Sequence, residues 1–578
     1  SVTGRLYKGN DTDLSGYPDW DGKWSSNEFG PNRYDSLWTK KFSQKDYDDY
    51  KKKDPTGKYF AVNADSTKII PTPAAIKRAD SLDQANYKKG YNGQSTAFTD
   101  PVKDYSVAAK LQFGDFKLGL QYQYWSEGVS SDYVDRFYAS NGNLTHWGAR
   151  QTYFYARYDR NLSERLNFTS FSYYRSSDFG DEAHTTQYFG YANANLSFSD
   201  FLSGTAPNFR TNYFSQQSEQ FRTDNRVNYV LSEKIDINLG VEVRKGLFQG
   251  DYVRSAVEDP ISSGTAAAGI KGGNYYSVFD AAVYTQVSYQ DRPRKINLSA
   301  GGRMDHNRIN DKFGYGTVFN PRFSAVYYPG KFIFKGIYSE AFLDASIFNK
   351  FSTSAIRLLN SPNLTPERVK NFEFSARVTP FGKNYIQISY YNARYSNILA
   401  TVAGVVYDTL GNKTTQFQAV GKSRIQGLQA AAEYFITNNL SVFGNATYTN
   451  PKSLVAGKWI RISDISDFSA NLGTNLRLLN NKLNINLRAN IVGDKPAGKN
   501  TTVSAGIYSE NQGYTVFNGA VSFAFNKMIT LQCAADNITD LSYYSPGVRA
   551  SGGVQPPRVP QPGRVVFLKL IANIGNAL

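Results

Sequence analysis

A chain of 578 residues with 15% aromatics, one cysteine and a formal charge of +16 is bounded before any motif is read. Its length alone suggests several soluble domains, yet no stretch approaches the roughly 18 consecutive apolar residues of a membrane helix. Low mean hydropathy with so many aromatics suits a barrel with a wet interior and aromatic girdles, and the lone Cys533 excludes a disulfide framework and a cysteine-cluster metal site.

Taken in order, Ser1 to Tyr7 reads as one short strand. Residues 8–100 are polar, rich in Asp, Lys, Gly and Tyr, and almost without aliphatic alternation. So few aliphatics predict no buried core, and the segment is expected to be a large extracellular loop with some local order. From residue 103 the chain turns monotonous. Leu483, Ile485, Leu487, Ala489 and Ile491 alternate with Asn484, Asn486, Arg488 and Asn490, so that one strand face is apolar and the other polar. Ile235 to Arg244, Phe116 to Trp125 and Lys295 to Asp305 repeat the pattern, and Cys533 falls in step with Ile529, Leu531 and Ala535 on an apolar face.

Turn lengths separate a membrane barrel from a soluble sandwich. Tight turns such as Gly114-Asp115, Ser232 to Lys234, Pro329 to Lys331, Asn480 to Lys482 and Asn526-Lys527 fall at every second connection, and most of the others are long. Short turns at one rim and long loops at the other mark an outer-membrane barrel. The expected fold is an all-β, transmembrane antiparallel barrel of about 22 strands, with short periplasmic turns and long extracellular loops. Two of those strands are placed near 184–199 and 206–215. An even count puts both termini at the short-turn rim, and a barrel this wide is normally plugged.

Specific motifs support the same fold. Tyr338-Ser-Glu-Ala-Phe342, then Pro362-Asn-Leu-Thr-Pro-Glu-Arg368, then the alternating strand Phe372 to Val378 resemble the barrel of TonB-dependent outer-membrane transporters. Gly301-Gly-Arg-Met-Asp305, Val420 to Gln429 and the closing segment Asp536 to Gly547 with Pro562-Gly-Arg564 are similar to other parts of that barrel. The Asp-, Trp- and Tyr-rich first loop is similar to Bacteroidetes members. The resemblance implies an outer-membrane location and uptake of a scarce nutrient: a siderophore, glycan, peptide or vitamin complex. It also implies a plug domain and a TonB-type energising protein, both expected to lie outside this chain, and a surface lipoprotein lid or other outer-membrane subunits as further partners. A structural barrel subunit of a larger assembly and a passive channel are the alternatives. The final strand runs on to Ala577-Leu578, where the family usually ends on an aromatic residue.

The basic residues are scattered along the chain and form no block, which sets nucleic acid aside. Outer-membrane lipid and lipopolysaccharide, rich in phosphate, account better for the positive charge. Asp11, Asp13, Asp19 and Asp21 bring carboxylates together as calcium loops do, without the spacing of an EF-hand; a solvated acidic loop is the other reading. Trp20, Trp24, Tyr34, Trp38 and Tyr47 offer either an aromatic platform for cargo or packing of the loop on itself. Glu242, Arg244, Arg303, Asp305, Glu433 and Arg488 are expected to face the lumen, where they meet a plug or cargo. The three histidines are too far apart in sequence to suggest a metal site, and no catalytic motif stands out, so the chain does not read as an enzyme.

Overall fold

The computed structural model describes residues 2–572, apart from 10–11, 18–19, 22, 25–33, 36, 129–143, 180–182, 192–195, 250–252, 256–274, 352–360, 408–412, 499–500, 503–510 and 549–555. Alternation of the kind read above builds one 24-stranded sheet. Four of its strands are short pieces above the wall (His184–Phe189, Asn208–Ser215, Val253–Ser255 and Lys458–Arg461), and the other twenty form the wall. The first half of the wall comprises β1 (Val2–Gly9), β2 (Val102–Phe113), β3 (Phe116–Gly128), β4 (His146–Ser163), β5 (Leu166–Phe179), β6 (Gln217–Ser232), β7 (Ile235–Gln249), β8 (Tyr275–Asp291), β9 (Ile296–Ile309) and β10 (Phe313–Tyr327). The second half comprises β11 (Phe332–Leu343), β12 (Glu367–Val378), β13 (Tyr385–Tyr407), β14 (Lys413–Phe435), β15 (Leu440–Val455), β16 (Phe468–Leu478), β17 (Leu483–Val492), β18 (Tyr514–Ala524), β19 (Ile529–Asp536) and β20 (Val565–Ala572).

Each neighbouring pair from β1 to β20 is antiparallel, and the short turns gather at one rim. Gly114, at the β2–β3 turn, sits at φ +52, a left-handed conformation that costs glycine little. Val2 pairs with Ala109 and Ala572 with Ile529, which brings both ends of the described chain toward that rim.

The two strands expected near 184–199 and 206–215 are not wall strands. β5 pairs directly with β6 from Gln217–Asp178 to Tyr229–Leu166. The segments between them instead form a ribbon at the long-loop rim, Asn208 opposite Phe189 through Tyr213 opposite His184. A ribbon and a wall hairpin share the same alternation, so only the pairing partner tells them apart.

The larger departure is residues 8–100. The segment encloses a core after all, built from aromatics rather than aliphatics. Helices α1 (Gln44–Lys53) and α2 (Pro73–Lys89) pack with a three-stranded sheet around Tyr34, Leu37, Tyr50, Phe60, Ile69, Ala75 and Ala79. Tyr191 and helix α3 (Phe198–Ser203), with Phe198 and Phe201, complete that core from the ribbon loop. Here Tyr50 stacks on Phe198 with ring centroids 4.4 Å apart. We call this unit the rim domain. α2 begins at an N-cap, Thr72, followed by Pro73. Its buried stripe, Ala75, Ala79, Asp83 and Tyr87, recurs every four residues.

Candidate functional site

The inner wall carries a continuous network of charges where β6 to β9 run side by side. Asp224 lies opposite Glu242, Glu242 opposite Ala282, and Ala282 opposite Asp305; one register step away, Arg222, Arg244, Asp280 and Asn307 form a second row. Acids and bases therefore interleave. Glu242, only 3% exposed, is met by Arg222 at 2.8 Å, Arg303 at 3.1 Å and Arg244 at 3.3 Å. Arg303 also grips Asp305 through Nε and Nη2, at 2.9 and 2.8 Å. Such charge-assisted contacts are short and directional. Tyr284 crosses the backbone of Gly240, where a Cβ would stand 2.1 Å from its ring, and donates to Asp224 at 3.0 Å.

Of the six lumen candidates, Glu242, Arg244, Arg303 and Asp305 thus meet in one cluster. Glu433 and Arg488 lie elsewhere, on β14 and β17, joined only through the register Glu433–Phe443–Gly473–Arg488. Arg222 and Asp280, equal members of the cluster, escaped the sequence reading, although their alternation with neighbouring apolar residues was available. A second inner array is an amide ladder. Asn471 donates to Asn445 at 2.9 Å, Asn490 to Asn471 at 2.5 Å, and Asn518 to Asn490 at 2.7 Å.

At the long-loop end, helix α4 (Ile347–Phe351) folds into the mouth, where Phe351 stacks on Tyr276 at 4.0 Å and packs against Val278 and Ile309. Lys350, fully buried, pairs with Asp344 at 2.7 Å. Burial holds the Asp344 carboxyl above its ordinary pKa, against the pull of Lys350.

The first-loop aromatics divide. Trp20 and Tyr34 are 2% and 3% exposed: Trp20 packs with Leu14 and Tyr17, and the Tyr34 hydroxyl donates to Asp83. Trp38 lies against Phe198 and Phe201, and Tyr47 against Phe42 and Phe60. These four rings serve packing. Trp24 differs. Its indole donates to Asp80 at 3.1 Å and tilts against Tyr87, on the edge of a cleft of about 570 Å³ also lined by Lys23, Gln84, Lys88 and Lys89.

The acidic residues do not assemble into a calcium loop among the described residues. Asp13 accepts from the Ser15 hydroxyl and backbone N–H, which lower its pKa, and Asp21 accepts from the Lys23 backbone. Asp11 and Asp19 lie outside the described residues. No group of three metal-ligating side chains occurs among those described. His146 and His184, distant in sequence, are register partners with ring centroids 4.4 Å apart, whereas His306 bonds to Thr317 on the outer wall.

A family model described as TonB dependent receptor-like, beta-barrel, matches residues 110–538. The chain belongs to that family. TonB-dependent receptors are outer-membrane transporters that work with TonB, and they are not enzymes. Solved structures share the fold at low identity. The ferric enterobactin receptor of Pseudomonas aeruginosa is 13% identical, with a TM-score of 0.60 over 82% of this chain and 70% of that one. A structure titled copper transporter OprC gives 13%, 0.60, 82% and 74%. The ferric-catecholate import receptor Fiu of E. coli K12 gives 14%, 0.58, 82% and 74%. No curated protein is detectably similar in sequence. In this TonB-dependent barrel the apolar outer face meets lipid, and the charge network and amide ladder face the lumen.

Proposed function

We propose that this barrel takes up a scarce nutrient from outside the cell, a siderophore, glycan, peptide or vitamin complex, with energy delivered from the periplasmic side. The observation that carries the reading is the pairing of a hydrogen-bonding lumen with a lysine- and aromatic-lined cleft at its long-loop mouth. Cargo is captured at the rim domain, with Trp24, Tyr87 and the Lys88–Lys89 pair as its contacts, together with the loops at 248–274, 341–365 and 538–564. The charged wall and the amide ladder hold a plug domain by hydrogen bonds that break one at a time when the plug is pulled. The solved relatives named for ferric catecholates and copper support small chelated cargo as the first class to try.

The test is accumulation in cells that express the protein. Labelled ferric siderophores, copper chelates, oligosaccharides and cobalamins are offered with and without a protonophore. The proposal expects one class to accumulate and a protonophore to abolish it. Accumulation that ignores the protonophore would make the barrel a passive channel, and none in any class would favour a structural subunit.

A further inference from the structure

The basic residues that look scattered in sequence fall into a row once the strands are paired. Lys370 on β12 lies opposite Arg394 on β13, Arg394 opposite Arg424 on β14, and Arg424 opposite Lys452 on β15. Directly paired residues point the same way, and neighbouring strands are about 4.8 Å apart. Four like charges therefore stand within about 15 Å on one face, an arrangement that is destabilising unless something anionic covers it. That face is the outer one, since Lys370 shares it with Phe372 and Phe374, and Arg424 with Leu428, all exposed apolar residues. Arg368 and Lys422 stand two residues farther toward the long loops on the same face.

The chain supplies little of the balancing charge. Glu340, opposite Lys370, serves Arg368 at 3.4 Å and Lys370 at 3.3 Å. Among the described residues Arg394, Lys422, Arg424 and Lys452 form no ion pair. Arg461, next in the row, is matched by Asp467 at 2.5 Å.

Below the row the face changes in layers. Next come the amides Asn392, Gln426 and Asn450, then Tyr390, Leu428 and Tyr448, then Ile388, Ala430 and Ala446. Gln426 donates to the Tyr390 hydroxyl at 2.9 Å. The small residues at the bottom open a groove of about 1,050 Å³, floored by Ala430, Ala432, Gly444 and Ala446 and walled by Leu472 and Leu487. Ala430 follows Arg424 by six positions, about 20 Å along the strand. Phosphate-binding cations, an amide and hydroxyl layer, and an apolar groove stand in the order of a lipid's headgroup, linkage and acyl chains.

We propose that β12 to β15 bind one phosphorylated, multiply acylated lipid of the outer leaflet, with its phosphates on Arg394, Arg424 and Lys452 and its chains in the alanine–glycine groove. The site is independent of the cargo reading, for it lies on the opposite face of the wall.

The experiment uses the full chain, delipidated in detergent, with bis-phosphorylated lipid A in mixed micelles as the probe. Comparators are the same lipid stripped of phosphate, and inorganic phosphate. The intact lipid is expected to raise the melting temperature and to bind at least tenfold more tightly than the stripped form. An Arg394→Gln, Arg424→Gln, Lys452→Gln triple variant should lose that tenfold, and Ala430→Leu with Ala446→Leu should weaken binding severalfold while leaving the barrel resistant to heat on gels. Equal protection by inorganic phosphate would overturn the lipid assignment. So would an equal loss on Lys51→Gln, Lys52→Gln, Lys53→Gln, which removes exposed charge from α1. Should the triple variant not fold, undiminished binding by the groove variant would alone refute the site.

Discussion

The wall and the rim domain bury their side chains in opposite ways, although one chain makes both. The wall turns its large apolar residues outward, as with Leu487 at 49% exposed, and keeps Glu242, Asp305 and Asn307 nearly sealed inside. The rim domain folds like a soluble protein: Phe201 and Ile69 are at its centre, and charged residues such as Lys51 to Lys53 are outside. In the wall the strands are held side by side by an antiparallel backbone ladder, so stability comes from that ladder and from the lipid. In the rim domain it comes from an aromatic core. One chain thus yields an inside-out and a conventional fold, and the two should respond differently to the same insult.

The largest effect is expected from Phe201→Ala. Its ring lies 4.6 Å from Trp38, 5.1 Å from Tyr59 and 5.8 Å from Tyr191, and the Arg78 guanidinium sits 4.9 Å above it. Removal of a buried aromatic costs about 3–5 kcal/mol. That loss should fall on the rim domain alone, with amide protection of residues 44–89 collapsing while the barrel keeps its heat-resistant gel mobility. A barrel that unfolds with it would show that the two regions are one cooperative unit.

The wall has its own test. Leu487→Arg places a charge on the lipid face and should cost about 2–4 kcal/mol near the bilayer midplane. Asn486→Arg, one residue away, points into the lumen, where it loses the 2.6 Å bond from Asn486 Nδ2 to Asn475 and should cost much less. Comparable losses in a refolding titration would mean that the faces have been assigned the wrong way round.

Much of the wall could be read from the sequence because a strand of alternating residues announces both its element and its two faces. Ile235 to Arg244 and Leu483 to Ile491 needed no partner to be recognised. What the alternation cannot carry is the identity of the neighbour. Hence the His184 and Asn208 segments passed for wall strands, and the row Lys370, Arg394, Arg424 and Lys452, spaced by 24 to 30 residues, passed for scattered charge. The rim-domain core was hidden for a related reason. Tyr191, Phe198 and Phe201 come from beyond residue 190, so residues 8–100 seen alone looked too poor in apolar side chains to fold. Glu242, Arg244, Arg303 and Asp305 could be grouped from the sequence because each shares its face with its i+2 neighbours, whereas the division of the aromatic candidates, four into packing and Trp24 onto a cleft edge, depends on tertiary packing that alternation does not carry.

A smaller effect tests the joint between the two regions. Asp83, fully buried on α2, accepts from the Tyr34 and Tyr188 hydroxyls and from the Tyr191 backbone N–H, each at 3.0 Å. It ties the rim domain to the ribbon above β5 and β6. Asp83→Ala leaves those buried donors without this acceptor, and with water entering the space of the lost carboxylate to serve the others, the net cost should be that of one unsatisfied group, about 1–3 kcal/mol. Exchange at Tyr188 and Tyr191 should speed up while the wall strands stay protected, and an unchanged ribbon would show that apolar packing alone holds the joint.

The smallest expected effect is acid sensitivity confined to the rim domain. At the start of α1 the Ser43 hydroxyl donates to Asp46, and at α3 the Ser197 hydroxyl and backbone N–H donate to Asp200; these bonds hold both carboxyls below their ordinary pKa. A depressed native pKa means that the unfolded state binds protons first as the pH falls. The stabilisation is therefore complete above the unfolded value of about 3.9 and disappears as the pH drops through the lower native values. Amide exchange of residues 44–53 and 198–203 should accelerate between roughly pH 4 and pH 2, ahead of the wall strands that lie outside the β6 to β9 charge network. Ser43→Ala with Ser197→Ala should remove most of that acid response, because the caps then no longer favour the ionised form. If the double variant loses protection over the same pH range as the parent chain, the two caps are not its source, and if the wall strands open first, acid acts on the barrel rather than on the rim domain.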